Sequence, residues 1–308
     1  MPTCGFRYDC PRHYQLAEVN ASAALWDLTN TSDAEHLQRL RVAARQSCKL
    51  SRKAGTASTK NGQETGSLDS GGWCLESRRA AGLASDAHST VHLAGGLTYF
   101  LPAPHVAADS AIADFLAATL RRCKDPPECR QYIYLSVNDF GAGVGQYGHA
   151  LLSRDPGYRW RGYDGAGNVE SVTNGFVSFF DLTIPLSLPR ADWAMSLEVG
   201  EHVPNAHERM LIRNLHAHNC RGILLSWAYL GKWGVGHVNN HGNAYLVDTF
   251  QQLGYFYNAQ KTDELRLGRR SRKVSARNVS RPWFWFARSV LVFERVKPLS
   301  GPGCTAIE

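Results

Sequence analysis

The chain has 308 residues, 44% of them hydrophobic and 10% aromatic, with a net charge of +7. That composition excludes a sequence too polar to build a core, and the length suits one large domain with appendages or two small ones. No apolar run is long enough to span a bilayer and the amino terminus lacks a signal-peptide core, so a soluble protein is expected, its compartment left open.

Residues 1–70 read as an N-terminal extension. The stretch "SDAEHLQRLRVAARQ" opens on an S-x-x-E capping box at Ser32 and Glu35, which predicts a helix. "KAGTASTKNGQETGSLDSGG" follows, too poor in apolar side chains to offset its ordering entropy, and predicts a flexible linker from Lys53 to Gly72. From about His105 the pattern becomes regular. "ADSAIADFLAATLRR" sets Ile112, Phe115, Leu116 and Leu120 on one helical face, capped by Asp109 or Ser110. "YIYLSVNDF" reads as a buried strand and "QYGHALLSR" as a short helix. Strands then end at Asp164 ("YRWRGYD"), Asp181 ("GFVSFFD") and Glu198 ("ADWAMSLE"). A helix over 205–218 leads to the strand "GILLSWA", a helix over 244–253 leads to "GYFYNA", and "RSVLVFERV" closes as a strand. Strands alternating with helices predict a mostly parallel sheet covered on both faces, with ligands at the carboxyl ends of its strands.

Eight cysteines form no C-x-x-C and no zinc-like spacing, while a Cys123–Cys129 disulfide is allowed in an oxidising compartment. From Lys261 to Lys297 there are eleven Lys/Arg against three Asp/Glu. A segment this basic suits an anionic partner or a solvated surface.

The segment "SVNDFGAGVGQYGHA" carries two overlapping glycine patterns. Gly143, Gly145 and Gly148 spell the G-x-G-x-x-G of a dinucleotide site. Gly141, Gly143 and Gly145, following Asp139, spell the D-x-G-x-G-x-G loop of S-adenosylmethionine (SAM) enzymes. Asp139 separates the two. SAM brings an α-ammonium group that a carboxylate can pair with, whereas a dinucleotide brings a pyrophosphate that a carboxylate repels. Asp164, nineteen residues beyond Gly145, suits the ribose hydroxyls of either ligand, and Asp181 suits an adenine amino group. SAM is the expected cofactor.

With "DFGAGVGQYG", "YDGAGNVE", "FFDLTIPL", "ADWAMSLEVGEHVP" and "RGILLSWA" in order, the chain resembles the class I SAM-dependent methyltransferases. "GGWCL" at Gly71 and "GHVNNH" are further similar to a methyltransferase-like family of animal and algal proteins. The resemblance spans residues 71–297 as one domain and leaves 298–308 as a tail. It implies a Rossmann-like α/β fold with a mostly parallel seven-stranded sheet and an antiparallel last strand. Carried over by position, it implies that Asp139, Gly141, Ala142, Gly143 and Gly145 hold the methionine end of SAM. Asp164, Gly165 and Ala166 then lie at the ribose, Asp181 and Leu182 at the adenine, and Glu198 beside the cofactor.

Glu198, Glu201 and His202 form E-x-x-E-H, which resembles the metal motif of ubiquinone-pathway O-methyltransferases and small-RNA 2′-O-methyltransferases. In the latter a further histidine after the fifth strand completes the set, and His237 occupies a comparable position. Two carboxylates and two imidazoles suit a divalent ion such as Mg²⁺, but the same segment occurs without metal, and a strict metal requirement is not expected. The other roles open to His202 or His237 are general base and structural histidine. His216 and His218 read as surface residues. The expected activity is methyl transfer to an oxygen or nitrogen of an unidentified acceptor. A methyltransferase-fold binding protein without turnover and an NAD-dependent oxidoreductase are the alternatives.

Overall fold

The computed structural model describes residues 34–54, 75, 88–92, 98–102, 107–124, 127–234, 236–270 and 285–306. The expected linker, apart from its first two residues, the "GGWC" of the family motif and the middle of the basic segment lie outside the described residues. The chain begins with α1 (Ala34–Ala54) and a hairpin of β1 (His88–His92) and β2 (Thr98–Pro102). Next come α2 (Ser110–Leu120), β3 (Arg121–Cys123), β4 (Tyr132–Tyr134), β5 (Ser136–Phe140) and α3 (Gln146–Leu152). They are followed by β6 (Arg159–Asp164), α4 (Val169–Val172), β7 (Val177–Phe179), β8 (Ala191–Leu197) and α5 (Asn205–Ala217). The last elements are β9 (Asn219–Ser226), α6 (Asn243–Gln252), β10 (Tyr255–Tyr257), α7 (Ala259–Arg270), α8 (Phe286–Ser289) and β11 (Leu291–Arg295).

Seven strands form one sheet in the order β10-β11-β9-β8-β5-β6-β7. β5, β6, β7, β8 and β9 are parallel, and β11 is antiparallel to both of its neighbours. This is a Rossmann-like α/β fold, with the mostly parallel seven-stranded sheet and antiparallel last strand that the resemblance to class I methyltransferases implies. Alternation along the strands sends Phe140, Ala194, Ile223 and Phe293 to one face, under Leu211 and Leu215 of α5 and Leu246 and Phe250 of α6. Val137, Met195, Leu224 and Val292 point to the other face, under α2, α3 and α7. A third cluster joins Ala44 of α1 to Ala142, Ala166 and Phe179, so α1 packs directly against the loops that follow β5 and β6. Arg41 and Arg45 of α1 pair with Glu170.

One expectation is corrected in the first half. "YIYLSVNDF" is not one strand, because Tyr132–Tyr134 pairs with Arg121–Cys123 in a separate hairpin closed by the Cys123–Cys129 disulfide. Only from Ser136 does the chain join the main sheet. The cap of α2 is Asp109, whose carboxylate accepts the Ile112 amide at 3.0 Å. Asp109→Ala is expected to destabilise the fold by about 1 kcal/mol, read from a denaturant midpoint. A shift within experimental error would refute the cap.

Asp192, at the start of β8, ties three parts of the molecule together. Its buried carboxylate accepts the Ser136 amide and hydroxyl from β5, the Arg221 guanidinium from β9 and the Thr305 amide and hydroxyl from the tail. A Cys220–Cys304 disulfide anchors the same tail to β9. Among the described residues no helix is long and apolar enough to cross a membrane.

Candidate active site

In this sheet the chain leaves β5 toward β6 and β7, then returns to β8 and β9 on the other side. The crevice at the carboxyl end of β5 is therefore the switch point where ligands of such sheets bind. The structure brings the sequence-predicted residues to that one edge. Asp139 and the glycine loop follow from β5, Asp164 from β6, Asp181 from just beyond β7, Glu198 from β8 and His237 from the loop after β9.

The loop is held by its backbone. The amides of Gly141 and Ala142 both donate to the Tyr163 carbonyl, at 2.8 and 3.0 Å. Gly141 has φ +80°, and a Cβ there would strike Val199 Cγ2 at 2.2 Å, so no other residue fits. Gly143 has φ +57° and would meet nothing closer than Gln146 Oε1 at 3.5 Å, which leaves the concave side of the loop open. The Asp164 carboxylate braces the loop, accepting the Gly143 amide with one oxygen and the Ala166 amide with the other, each at 2.8 Å. Burial raises the Asp164 pKa, and these two amides oppose the rise. A carboxylate has about four acceptor positions, so two remain for other donors. Gly165 lies between Asp164 and Ala166 in this turn.

Asp139 is the electrostatic anomaly of the site. It is 2% exposed, and its one hydrogen bond among the described residues comes from Trp160 Nε1 at 3.2 Å. Burial, with a smaller contribution from the nearby Asp164, pushes its pKa to about 8 despite the Trp160 bond. No cation pairs with it among the described residues. With that pKa the acid is mostly protonated near pH 7, and a cation brought beside it would favour its ionised form.

Asp181 accepts the Thr183 amide (2.9 Å) and hydroxyl (2.6 Å) on a single oxygen, Oδ1. Leu182 is buried in the core, its carbonyl accepting Asn214 Nδ2.

On the opposite wall, Glu198 has φ +55°, a strained conformation for a non-glycine residue at the point where β8 turns into the site. Its amide reaches the Ser226 hydroxyl and its Oε1 accepts from Ser289. Glu201 and His202 sit on the short helical turn Gly200–His202. The turn is stapled to the loop after β9, because the Glu201 carbonyl accepts the Val238 and Asn239 amides and Trp227 Nε1 donates to the Asn239 carbonyl. That staple sets His237 beside His202, their ring centroids 5.0 Å apart at 88°. Of the four residues foreseen as metal ligands, Glu201, His202 and His237 bring ligand atoms within 4.8 Å of one another. Glu198 is not in that group; its Oε1 accepts from Ser289 and its carboxyl adjoins that of Glu201. Burial raises the pKa of both Glu198 and Glu201, and the Glu198 charge adds to the rise at Glu201. At His237, burial lowers the pKa, so the ring is neutral near pH 7.

One cluster escaped sequence reasoning. Glu208 of α5 accepts from Tyr245 of α6 and Asn239, and pairs with His241, whose ring stacks on Tyr245 at 4.0 Å. These hydrogen bonds outweigh the effect of burial and lower the Glu208 pKa. No helical spacing marks it, because His241 precedes α6 and Glu208 lies on α5. His216 and His218, expected at the surface, are half-buried and buried respectively. His218 is 5% exposed and bridges the Asn214 carbonyl and the Leu188 amide, because the helix ends against the start of β8. Burial drives the His216 pKa down to about 4. A cavity of about 360 Å³ lined by Leu186, Arg190, Arg213 and His218 lies at the amino end of β8, away from the site.

No protein-family model matches the sequence, and no curated protein matches it. Among solved structures, a magnesium protoporphyrin IX methyltransferase from Synechocystis PCC 6803 with bound SAM is similar over 60% of this chain and 76% of its own, at 18% identity and a TM-score of 0.40. An O-methyltransferase family protein from Burkholderia thailandensis is similar over 61% of this chain, at 12% identity and a TM-score of 0.35, and the match spans only 55% of that protein. The cyclase SpnF is similar over 61% of this chain and 80% of its own, at 14% identity and a TM-score of 0.38. Likenesses this distant say nothing about what this chain binds.

Proposed function

We propose that this protein is a SAM-dependent methyltransferase acting on an oxygen or nitrogen nucleophile. The observation that carries the reading is Asp139, a buried carboxylate without a cationic partner among the described residues, at the mouth of an open glycine loop. In this reading Asp139 pairs with the cofactor's α-ammonium group and the backbone of Gly141, Ala142, Gly143 and Gly145 surrounds its amino-acid end. The two free acceptor positions of Asp164 receive the ribose hydroxyls, with Gly165 and Ala166 alongside. Asp181 Oδ2 receives the adenine amino group near Leu182. A pyrophosphate in place of the ammonium would meet two buried acids, which disfavours the NAD reading.

When bound, SAM supplies a methyl group on a sulfonium that is already a good leaving group. The protein's work is then to align the acceptor behind that methyl and to keep water out. His237 is suited to the acceptor side. With its Nδ1–H donating to the Lys232 carbonyl at 3.2 Å, its Nε2 lone pair is left either to take a proton from the acceptor or to hold an ion that binds it, but not both at once. His202 stands beside it, and Glu198 holds the backbone turn between cofactor and acceptor. An anionic acceptor suits the basic segment 261–297, and raised salt should then weaken its binding.

Isothermal titration of the full chain with SAM, S-adenosylhomocysteine and NAD is the direct test. Saturable binding of the first two and none of the third is expected. Binding of NAD without SAM would overturn the assignment. SAM binding with no methyl transfer to small-molecule, glycan, protein or RNA pools would favour the binding-protein alternative.

A further inference from the structure

Glu201 is 0% exposed; no hydrogen bond of good geometry reaches its carboxylate oxygens among the described residues, and its polar neighbours there are the Glu198 carboxyl and the Ala228 backbone. A carboxylate buried this way costs several kcal/mol if left charged and alone, so it is either protonated or neutralised by a bound ion. The side chain shares its space with two imidazoles, His202 and His237, with one ligand atom of each residue lying within 4.8 Å of the others. The arrangement is fixed from behind. The Glu201 carbonyl grips the Val238 and Asn239 amides at 2.8 and 3.0 Å, which locks the histidine-bearing loop to the glutamate-bearing turn. His237 Nδ1 lies 3.2 Å from the Lys232 carbonyl. A ring held this way donates its Nδ1–H to the carbonyl and presents Nε2 as the ligand, the arrangement that orients metal-binding histidines.

We propose that Glu201, His202 and His237 form a three-ligand site for a divalent ion of the zinc class. Two imidazoles and one carboxylate suit a borderline ion such as Zn²⁺, whereas Mg²⁺ prefers oxygen ligands and retained water. Zinc–ligand bonds of about 2.0–2.2 Å place tetrahedral ligand atoms about 3.4 Å apart. The present spread of up to 4.8 Å would have to close toward that value on binding, by rotation of the half-buried His202 side chain and the Glu201 carboxylate toward the held His237 ring. Three protein ligands leave one coordination position open to an oxygen or nitrogen ligand. Glu198, hydrogen-bonded to Ser289 and outside the cluster, is not a ligand in this assignment, which departs from the four-ligand Mg²⁺ set foreseen from the sequence. Lys232 places a positive charge on the Glu198 side of the group, and a proton shared by Glu198 and Glu201 is the competing way to settle the buried charge.

The test uses the untagged full chain with its disulfides intact, stripped with chelator and titrated with Zn²⁺, Co²⁺ and Mg²⁺ in the absence of any cofactor. One equivalent of Zn²⁺ is expected to bind, and the Co²⁺ form should show the intense visible absorption of a four-coordinate site. Glu201→Gln, His202→Ala and His237→Ala should each weaken Zn²⁺ by at least about tenfold. Asp139→Ala should bind Zn²⁺ as the parent does. His237 lies on a loop, so His237→Ala decides the matter even where Glu201→Gln alters folding. No saturable Zn²⁺ binding, unchanged affinity in His237→Ala, or Mg²⁺ binding as tight as Zn²⁺ would each overturn the proposal. Because no SAM is present, this result stands apart from the methyltransferase reading.

Discussion

Asp139→Ala is expected to weaken SAM binding by about 1.5–3 kcal/mol, the range for a hydrogen bond to a charged group. The loss corresponds to roughly 10- to 150-fold in affinity. Protein stability should not fall with it, because the variant removes a buried acid that has no cationic partner. The pH dependence follows from a folded pKa of about 8, well above the usual aspartate value. Between about pH 4 and that value the unfolded chain has lost this proton and the folded chain keeps it, so stability declines as pH rises through the window. Binding of the ammonium group favours the ionised form, so the protein should release a proton on taking up SAM at pH 7. Titrations in buffers of different ionisation enthalpy read that proton directly. SAM affinity should climb from pH 6 to pH 8 in the parent and stay flat in Asp139→Ala. Equal affinity and equal proton release in the two proteins would remove Asp139 from the site.

Asp192→Ala is expected to cost about 3–5 kcal/mol of stability, the range for breaking a buried charged pair. Its carboxylate is 0% exposed and accepts five hydrogen bonds, from Ser136, Thr305 and Arg221. Removing it strands buried donors on β5, β9 and the tail at once. Burial pushes the Asp192 pKa up, but the hydrogen bonds from Ser136 and Thr305 prevail and hold it below the ordinary value. A depressed folded pKa means that this stabilisation is present above about pH 4, the unfolded value, and is lost as pH falls through the lower folded one. Urea denaturation at pH 7 and at successively lower pH measures both effects. A loss under about 1 kcal/mol at pH 7 would show that the carboxylate is not the brace described.

The order of strands and the acids at their ends were legible because buried parallel strands leave continuous apolar runs and glycine turns interrupt them. Asp139, Asp164, Asp181 and Glu198 each stand where a strand hands over to a loop, and the topology then collects them at one edge. The Glu208–His241–Tyr245 cluster was illegible for the opposite reason. Its members come from α5, the loop after β9 and α6, and only tertiary packing joins them. The misread histidines share that cause. Spacing alone does not reveal that the end of α5 is covered by residues 186–190. The division of "YIYLSVNDF" also depended on a distant partner, since Tyr132–Tyr134 pairs with Arg121–Cys123 rather than with the sheet. Asp192 carried no pattern at all, because its donors come from residues 56 and 113 positions away.

β11 is the last strand in chain order yet lies inside the sheet, between β9 and β10, with Leu291, Val292 and Phe293 fully buried. During synthesis β10 emerges before the strand that will attach it to the sheet. Until residue 295 is available, β9 presents an unpaired apolar edge and the helices α6 and α7 have no complete surface to pack on. The nascent chain therefore cannot mature from its amino end in steps, and shortened products that stop before β11 should be captured by chaperones rather than accumulate as smaller folded domains.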